Sequence, residues 1–313
     1  MYSENWVRLC GEIKDYVGNI CNQAIKDNKK IIIWGYGRCG KFFKHLIEDI
    51  DKRCKVDYII DDDLTRLCNG KVYVYRQSLL DYIDTDKFII LAALKDIKSI
   101  EDSLDFHGFV INSNLYDVRK DIGESYLEFF EKRYKDVDFS ITLREDCDEY
   151  NSMCNRHEAF GHASTDRVFE AITKLDDNLH FFDFGSGKGG ALCYAYMHGI
   201  KHIGGVELVK HIYEHSVKNV EKLGIECEIF NENALDVNID EYNCFFFFNP
   251  FRGKLFGAVM QNIRNSYEKK HRKIYVIYAN PFEHKQVIQA GFKLIEQVPV
   301  DCIDPLLNIY SII

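Results

Sequence analysis

Twice in this chain a short apolar run leads at once into a glycine-rich turn and then into a helical pattern. Ile31-Ile32-Ile33-Trp34 enters Gly35-Tyr36-Gly37-Arg38-Cys39-Gly40, and Phe181–Phe184 enters Gly185-Ser186-Gly187-Lys188-Gly189-Gly190. A run of apolar residues without polar alternation is what a strand buried on both faces needs, and such strands belong to parallel sheets covered by helices. Two such openings, about 150 residues apart, imply two α/β units rather than one.

The intervening sequence fits that division. Residues 1–28 form a polar, amphipathic helical lead-in. After the first turn, strands are expected at Val56–Ile60, ending on Asp61, and at Phe88–Ala92, with Phe109-Val110-Ile111 as a fourth. Residues 112–180 carry Tyr126, Phe129, Phe130 and Tyr134 at helical spacing and a second helix at Asp166–Leu175, a helical connector. The strand–helix alternation then resumes with Phe181–Phe184, His202–Val206, Glu226–Phe230, Cys244–Phe248, Lys273–Tyr278, Phe292–Val298 and Leu307–Ile312. The last two are close enough in sequence for a hairpin, which predicts an antiparallel edge on a parallel sheet. The expected fold class is α/β, with two Rossmann-like doubly wound domains, residues 1–118 and 119–313, the second including the connector.

Composition narrows the function. The formal charge of −9 over 313 residues argues against a general nucleic-acid binder, which needs clustered Lys and Arg. The local basic stretch Lys269, Lys270, His271, Arg272, Lys273 reads as a solvated helix end. Eleven cysteines are scattered singly without a CxxC pair, so reduced structural thiols are expected, with no zinc or other metal site. No run reaches the length of a membrane span and no secretory leader is visible, so a cytoplasmic protein without membrane partner is expected.

The second glycine turn differs from a dinucleotide fingerprint. Its glycines at 185, 187 and 189 read G-x-G-x-G, and Asp183 stands two positions before the first. A carboxylate there repels a pyrophosphate and suits an ammonium group, while the glycines let backbone approach a ligand closely. Glu207 ends the second strand, where a carboxylate can accept both hydroxyls of a ribose. Asn233-Ala234 follows the third strand, where a side chain and a backbone amide can hold an adenine edge. The fourth strand ends in Asn249-Pro250-Phe251.

With DFGSGKG, GGVEL, Asn233-Ala234 and FFFFNPF in this order, the chain from about residue 155 onward resembles the class I S-adenosylmethionine-dependent methyltransferases. The resemblance implies S-adenosyl-L-methionine as cofactor, contacted by Asp183, Gly185, Ser186, Gly187, Gly189, Glu207, Leu208, Asn233, Ala234 and Asn249. It also implies that the segment His157-Glu158-Ala159-Phe160-Gly161-His162 closes over cofactor and substrate. Asn249-Pro250-Phe251 resembles the (Asn/Asp)-Pro-Pro-(Tyr/Phe) motif of amino methyltransferases, although the second proline is missing. In that motif the polar side chain and the proline carbonyl accept amine hydrogens and the ring stacks on the acceptor. Nitrogen and oxygen acceptors both stay open; a hydroxyl acceptor would need a general base, for which His157 and His162 are the candidates. Tyr278 and Asn280 are expected to line the acceptor pocket.

The first turn does match G-x-G-x-x-G through Gly35, Gly37 and Gly40, with Asp61 about 20 residues on as a ribose-binding acid would be. Residues 29–111, including VDYIIDDDLTRLCNGKVYVYRQSLL, resemble the small nucleotide-sugar-binding domain of certain sugar acyltransferases. A nucleotide-sugar site, an NAD site and a degenerate fold kept for assembly compete for this domain. The expected function is a methyltransferase acting on a small molecule, a sugar or nucleotide-sugar derivative. Its rivals are a methyltransferase acting on a protein or peptide and a non-catalytic binding or assembly protein that retains the cofactor fold.

Overall fold

A computed structural model describes residues 4–63, 74–123, 125–142, 165–298 and 307–312. These divide into two compact units, one formed by Arg8–Phe129 and the other by Glu4–Val7 and the described residues from Phe130 onward.

The N-terminal unit begins with helix α1 (Glu4–Lys26), whose buried Ile13, Val17, Ile20, Cys21 and Ala24 recur at helical spacing and form one apolar stripe. Strand β1 (Lys30–Trp34) feeds helix α2 (Arg38–Ile50), and β2 (Val56–Ile60) and the two-residue β3 (Val74–Tyr75) follow. Then come β4 (Phe88–Ala92), α3 (Glu101–Phe106), β5 (Leu115–Asp117) and the short α4 (Val118–Asp121). All five strands are parallel, in the order β3-β2-β1-β4-β5. β1 sits at the centre and β4 is buried along its whole length, as their unbroken apolar runs predict.

The fourth strand is not where the apolar run Phe109-Val110-Ile111 places it. Only Phe109 is buried; Val110 and Ile111 face outward, and Asn112 turns the chain with φ +61°. Asn114 Oδ1 accepts the Val110 amide at 2.7 Å, which closes a loop and delays the strand to Leu115.

In the C-terminal unit, the aromatic pattern near residue 130 is helix α5 (Tyr126–Arg133), inside which the two units divide, and α6 (Thr165–Thr173) precedes the sheet. The sheet is laid down as β6 (His180–Phe184), α7 (Gly190–Met197), β7 (His202–Val206), α8 (Lys210–Lys222), β8 (Glu228–Phe230) and β9 (Cys244–Phe248). It continues with α9 (Lys254–Lys269), β10 (Ile274–Ala279), α10 (His284–Gln289), β11 (Lys293–Val298) and β12 (Leu307–Ile312). The strand order is β11-β12-β10-β9-β6-β7-β8. β12 alone is antiparallel to its neighbours, and it lies one place in from the edge, between β10 and β11. The antiparallel strand is therefore interior rather than marginal: all six β12 residues are buried, whereas β11 is almost wholly exposed and can serve as the edge.

One face of this sheet is filled by Phe182, Phe184, Phe245 and Phe247, packed with Phe256, Tyr278 and Tyr310. The basic stretch after α9 is engaged in structure. Arg272 donates to the carbonyl oxygens of Tyr242 (2.7 Å), Ser266 and Lys270 (3.0 Å each), while Lys269 and Lys270 pair with Asp240 and Glu241. Among the described residues no helix is long and apolar enough to cross a membrane, and no cluster of His, Cys, Asp or Glu is arranged to hold a metal.

Candidate active site

β6 lies between β7 and β9, and the chain leaves β6 toward β7 and β8 but leaves β9 toward β10. The loops after β6 and β9 thus part company, and a crevice opens at the carboxyl ends of the strands, where α/β sheets bind ligands. Three sequence-predicted elements meet there. Asp183 is the penultimate residue of β6 and the glycine turn follows it, Glu207 follows β7, and Asn249-Pro250 follows β9. Gly185 has φ +74°, and a Cβ on it would stand 2.7 Å from Pro250 Cβ, so only glycine lets the Asn-Pro loop lie against the turn. The amides of Gly185 and Ser186 donate to the Val206 carbonyl at 2.9 and 3.0 Å. Glu207 holds the turn from the other side: its Oε2 accepts the Gly187 amide at 3.0 Å and its Oε1 the Val209 amide at 2.9 Å.

The charges at this crevice are unbalanced. Asp183 is 4 % exposed, and among the described residues nothing donates a hydrogen bond to its carboxylate. Burial, and secondly the neighbouring Glu207, push its pKa up to about 8. Burial also raises Glu207, against the opposing pull of the Val209 and Gly187 amides. Ser186 Oγ is buried beside them with no hydrogen-bond partner. Lys188, in the same turn, does not supply the counter-charge: its ammonium is 2.6 Å from Asp138 Oδ2 and 3.2 Å from Ser140 Oγ. Native structures seldom leave buried polar groups unpartnered, and those that do mark functional sites.

The other predicted residues fall into place unevenly. Asn233 is exposed, and its Oδ1 accepts the Leu235 amide at 3.0 Å in a tight turn after β8, next to half-buried Ala234. Leu208 is exposed beside Glu207. Asn231, which the sequence did not single out, donates to the Glu207 and Leu208 carbonyls at 2.9 and 3.1 Å and ties the β7 and β8 ends together. Asn249 and Asn280 end the adjacent strands β9 and β10 with φ +49° and +57°, a conformation that asparagine tolerates. Phe251 is a correction. Its ring is 7 % exposed and packs against Phe184, Phe247 and Phe256, so it belongs to the core and presents no face for stacking. An exposed ring is instead Phe282, 65 % exposed, with the guanidinium of Arg252, the residue after Phe251, 4.1 Å above it. Tyr278 is likewise buried, and its hydroxyl accepts the Glu283 amide at 3.4 Å. His157 and His162 lie outside the described residues.

No family model matches the chain, and no curated protein does. Among solved structures it is similar to a transfer-RNA uracil methyltransferase of Pyrococcus abyssi in complex with S-adenosyl-L-homocysteine (14 % identity, TM-score 0.40). That match covers 55 % of this chain and 43 % of the other, so the chain spans less than half of the Pyrococcus enzyme's length. It is also similar to an S-adenosylmethionine-dependent methyltransferase of Aquifex aeolicus (14 % identity, TM-score 0.37, 46 % of this chain and 89 % of that one). A third is the magnesium protoporphyrin IX methyltransferase of Synechocystis with bound S-adenosylmethionine (12 % identity, TM-score 0.37, 47 % and 78 %).

The N-terminal unit has its own crevice. A cavity of about 340 Å³ opens at the ends of β1, β2 and β4, lined by Gly35, Gly37, Asp61, Asp62, Lys95 and Arg119 among others. Gly40 does not line it. A Cβ there would fall 1.9 Å from the Gly35 carbonyl oxygen, so this glycine serves the packing of α2 on the turn. Asp61 repeats the device of Glu207: Oδ2 accepts the Tyr36 amide at 2.5 Å and Oδ1 the Asp63 amide at 2.8 Å. Helix α2 starts at Gly37 with no side-chain cap and no acidic residue in its first turn.

Proposed function

We propose that the C-terminal unit binds S-adenosylmethionine and that the chain is a methyltransferase. The observation that carries this is the Asp183 carboxylate, buried with no donor among the described residues, set beside Glu207 and the glycine turn while the Lys188 ammonium of that turn is neutralised by Asp138. A phosphate ligand would add charge of the wrong sign. A cationic amino acid joined to a nucleoside suits these groups: the ammonium at Asp183, the ribose hydroxyls at Glu207, and the adenine edge along Leu208 and Asn233-Ala234. The solved structures with bound S-adenosylmethionine or S-adenosylhomocysteine named above are in keeping with this reading.

When bound, S-adenosylmethionine supplies a methyl group already activated on a sulfonium. The protein's own residues then have to align an acceptor and exclude water. In this reading Asn249 and the Pro250 carbonyl, in the loop that lies against Gly185, accept hydrogens from an amine or hydroxyl acceptor. Calorimetry of the whole chain with S-adenosylhomocysteine is expected to give one site with Kd of about 1–100 µM. Absence of binding at about 1 mM would overturn the reading.

The acceptor we infer is a small molecule, a sugar or nucleotide-sugar derivative, rather than nucleic acid; the net charge of −9 and the structural engagement of Lys269, Lys270 and Arg272 support this. We read the cavity of the N-terminal unit as a nucleotide-sugar site. Its volume lies within the range of ligand pockets. The uncapped start of α2 offers amides to a phosphate, Lys95 and Arg119 add positive charge, and Asp62 can take hydroxyls. Gly37→Asp tests this without harming the fold. Gly37 has φ −71°, open to any residue, and aspartate is a good helix cap, so the melting temperature should hold or rise slightly. Titration with UDP- and GDP-sugars should show binding to the parent chain and its loss in the variant; equal affinity in both would refute the assignment.

A further inference from the structure

A lysine inside a glycine-rich turn invites the expectation of an anion-binding group, and here the structure gives it a different task. Lys188 is 4 % exposed and points into the protein. Its ammonium meets Asp138 Oδ2 at 2.6 Å and Ser140 Oγ at 3.2 Å. Asp138 is gripped on every polar group. Its Oδ1 accepts the Ser140 amide at 2.8 Å, its own amide donates to Asn219 Oδ1 at 3.0 Å, and its carbonyl accepts from Asn219 Nδ2 at 2.8 Å. Although burial opposes it, the bonds from Lys188 and Ser140 hold the Asp138 carboxyl down at about 2. The same Asn219 Nδ2 also donates to the Lys188 carbonyl at 2.9 Å, and Asn219 is fully buried on α8. Val137 and Phe139, on either side of Asp138, are buried too.

We propose that Lys188 is a positioning residue for the methyl donor, acting with Asp138 and Asn219. The inference rests on the reading of the glycine turn as the donor site. Glu207 fixes Gly187 from the β7 side, and the Asp138–Asn219 pair fixes Lys188 through both its ammonium and its carbonyl. The backbone between these two anchors is what lies against the amino-acid portion of the donor. The latch thus sets the geometry of that portion and leaves the adenosine portion, held by Glu207 and Asn233, to itself. It also keeps the positive charge of Lys188 away from the ligand's own ammonium. At 35 % exposure, and with His215 Nδ1 3.8 Å from its Oδ2, the Asp138 side chain is still hydrated and faced by an imidazole once Lys188 is removed, so Lys188→Met is the milder cut. Asp138→Ala would strand a buried ammonium and threatens the fold.

The test compares two ligands on the whole chain: S-adenosylhomocysteine, and 5′-methylthioadenosine, which lacks the amino-acid portion. In Lys188→Met the first should bind about tenfold or more weakly and the second should be unchanged. Hydrogen exchange at the Gly187–Gly190 amides should rise while that of β6 stays as before, which separates a loosened turn from a loosened domain. Lys188→Arg, which keeps the charge, should recover part of the loss. Equal weakening of both ligands, or none of S-adenosylhomocysteine, would overturn the positioning role and leave the donor site standing. Failure of the parent chain to bind S-adenosylhomocysteine would instead overturn the donor site, and the proposal with it. If Lys188→Met does not fold, Asn219→Asp, which keeps an acceptor for the Asp138 amide but loses both Nδ2 donations, is read by the same pair of ligands.

Discussion

Glu207→Ala is expected to weaken S-adenosylhomocysteine binding by about a hundredfold or more. Each Glu207 oxygen already accepts one backbone amide and keeps a lone pair, enough for two ribose hydroxyls. Hydrogen bonds to a charged acceptor are worth about 1.5–3 kcal/mol each, so losing two exceeds the roughly 2.7 kcal/mol that a hundredfold requires. A second loss adds to this, because the Gly187 amide is released and the turn loosens. One effect runs the other way: removing Glu207 relieves Asp183 of a neighbouring negative charge. Burial is the larger cause of the Asp183 shift, so that relief cannot offset the lost contacts. Circular dichroism should show a folded variant with a somewhat lower melting temperature, and calorimetry the lost affinity. Unchanged affinity would remove Glu207 from the site.

Binding of the same ligand should also strengthen as pH rises from 6 to 8, by up to about tenfold per unit, with a proton released to buffer. The sign follows from Asp183. With its pKa near 8, the carboxyl is protonated in the free protein at pH 6–7. A ligand ammonium favours the carboxylate, so binding expels the proton and is aided by lower proton concentration until the free group ionises. Calorimetry in buffers of different ionisation enthalpy counts the proton directly. Stability of the unliganded protein should move oppositely. An acid raised from its ordinary value near 4 to about 8 binds more protons folded than unfolded, so this group's contribution is complete below about pH 4. It declines through the window up to 8 and is level above it. Asp183→Asn should remove this group's share of both slopes and lower the affinity. A pH-independent affinity in the parent chain would mean that Asp183 does not face the ligand's ammonium.

Much of this was readable in the sequence because fully buried parallel strands carry a local signature. Phe88–Ala92, His202–Val206 and Cys244–Phe248 have the bounds expected of them. The same rule misplaced the strand at Phe109–Ile111, since an apolar triplet can close a loop and face outward. Asp183, Glu207 and the Asn249-Pro250 loop come together because each sits at a strand's carboxyl end, a position that order along the chain determines. What sequence could not reveal depends on long-range contacts. Lys188 meets an aspartate 50 residues away, and no spacing rule distinguishes it from a ligand-facing lysine. Phe251 and Phe282 look alike as residues after strands, yet helix α9 brings Phe256 against the first while the second stays in the open.

The interior place of β12 bears on how the C-terminal unit is assembled during synthesis. β11 touches the sheet only through β12, and β10 leaves one flank open until β12 arrives. A ribosome delivers the chain at about 5–20 residues per second, so for that interval strand β10 presents unmatched amides and carbonyls and β11 has nowhere to dock. Residues 307–312 therefore act as the closing stave of the sheet. The hydrogen bonding of this sheet is complete only once they have emerged.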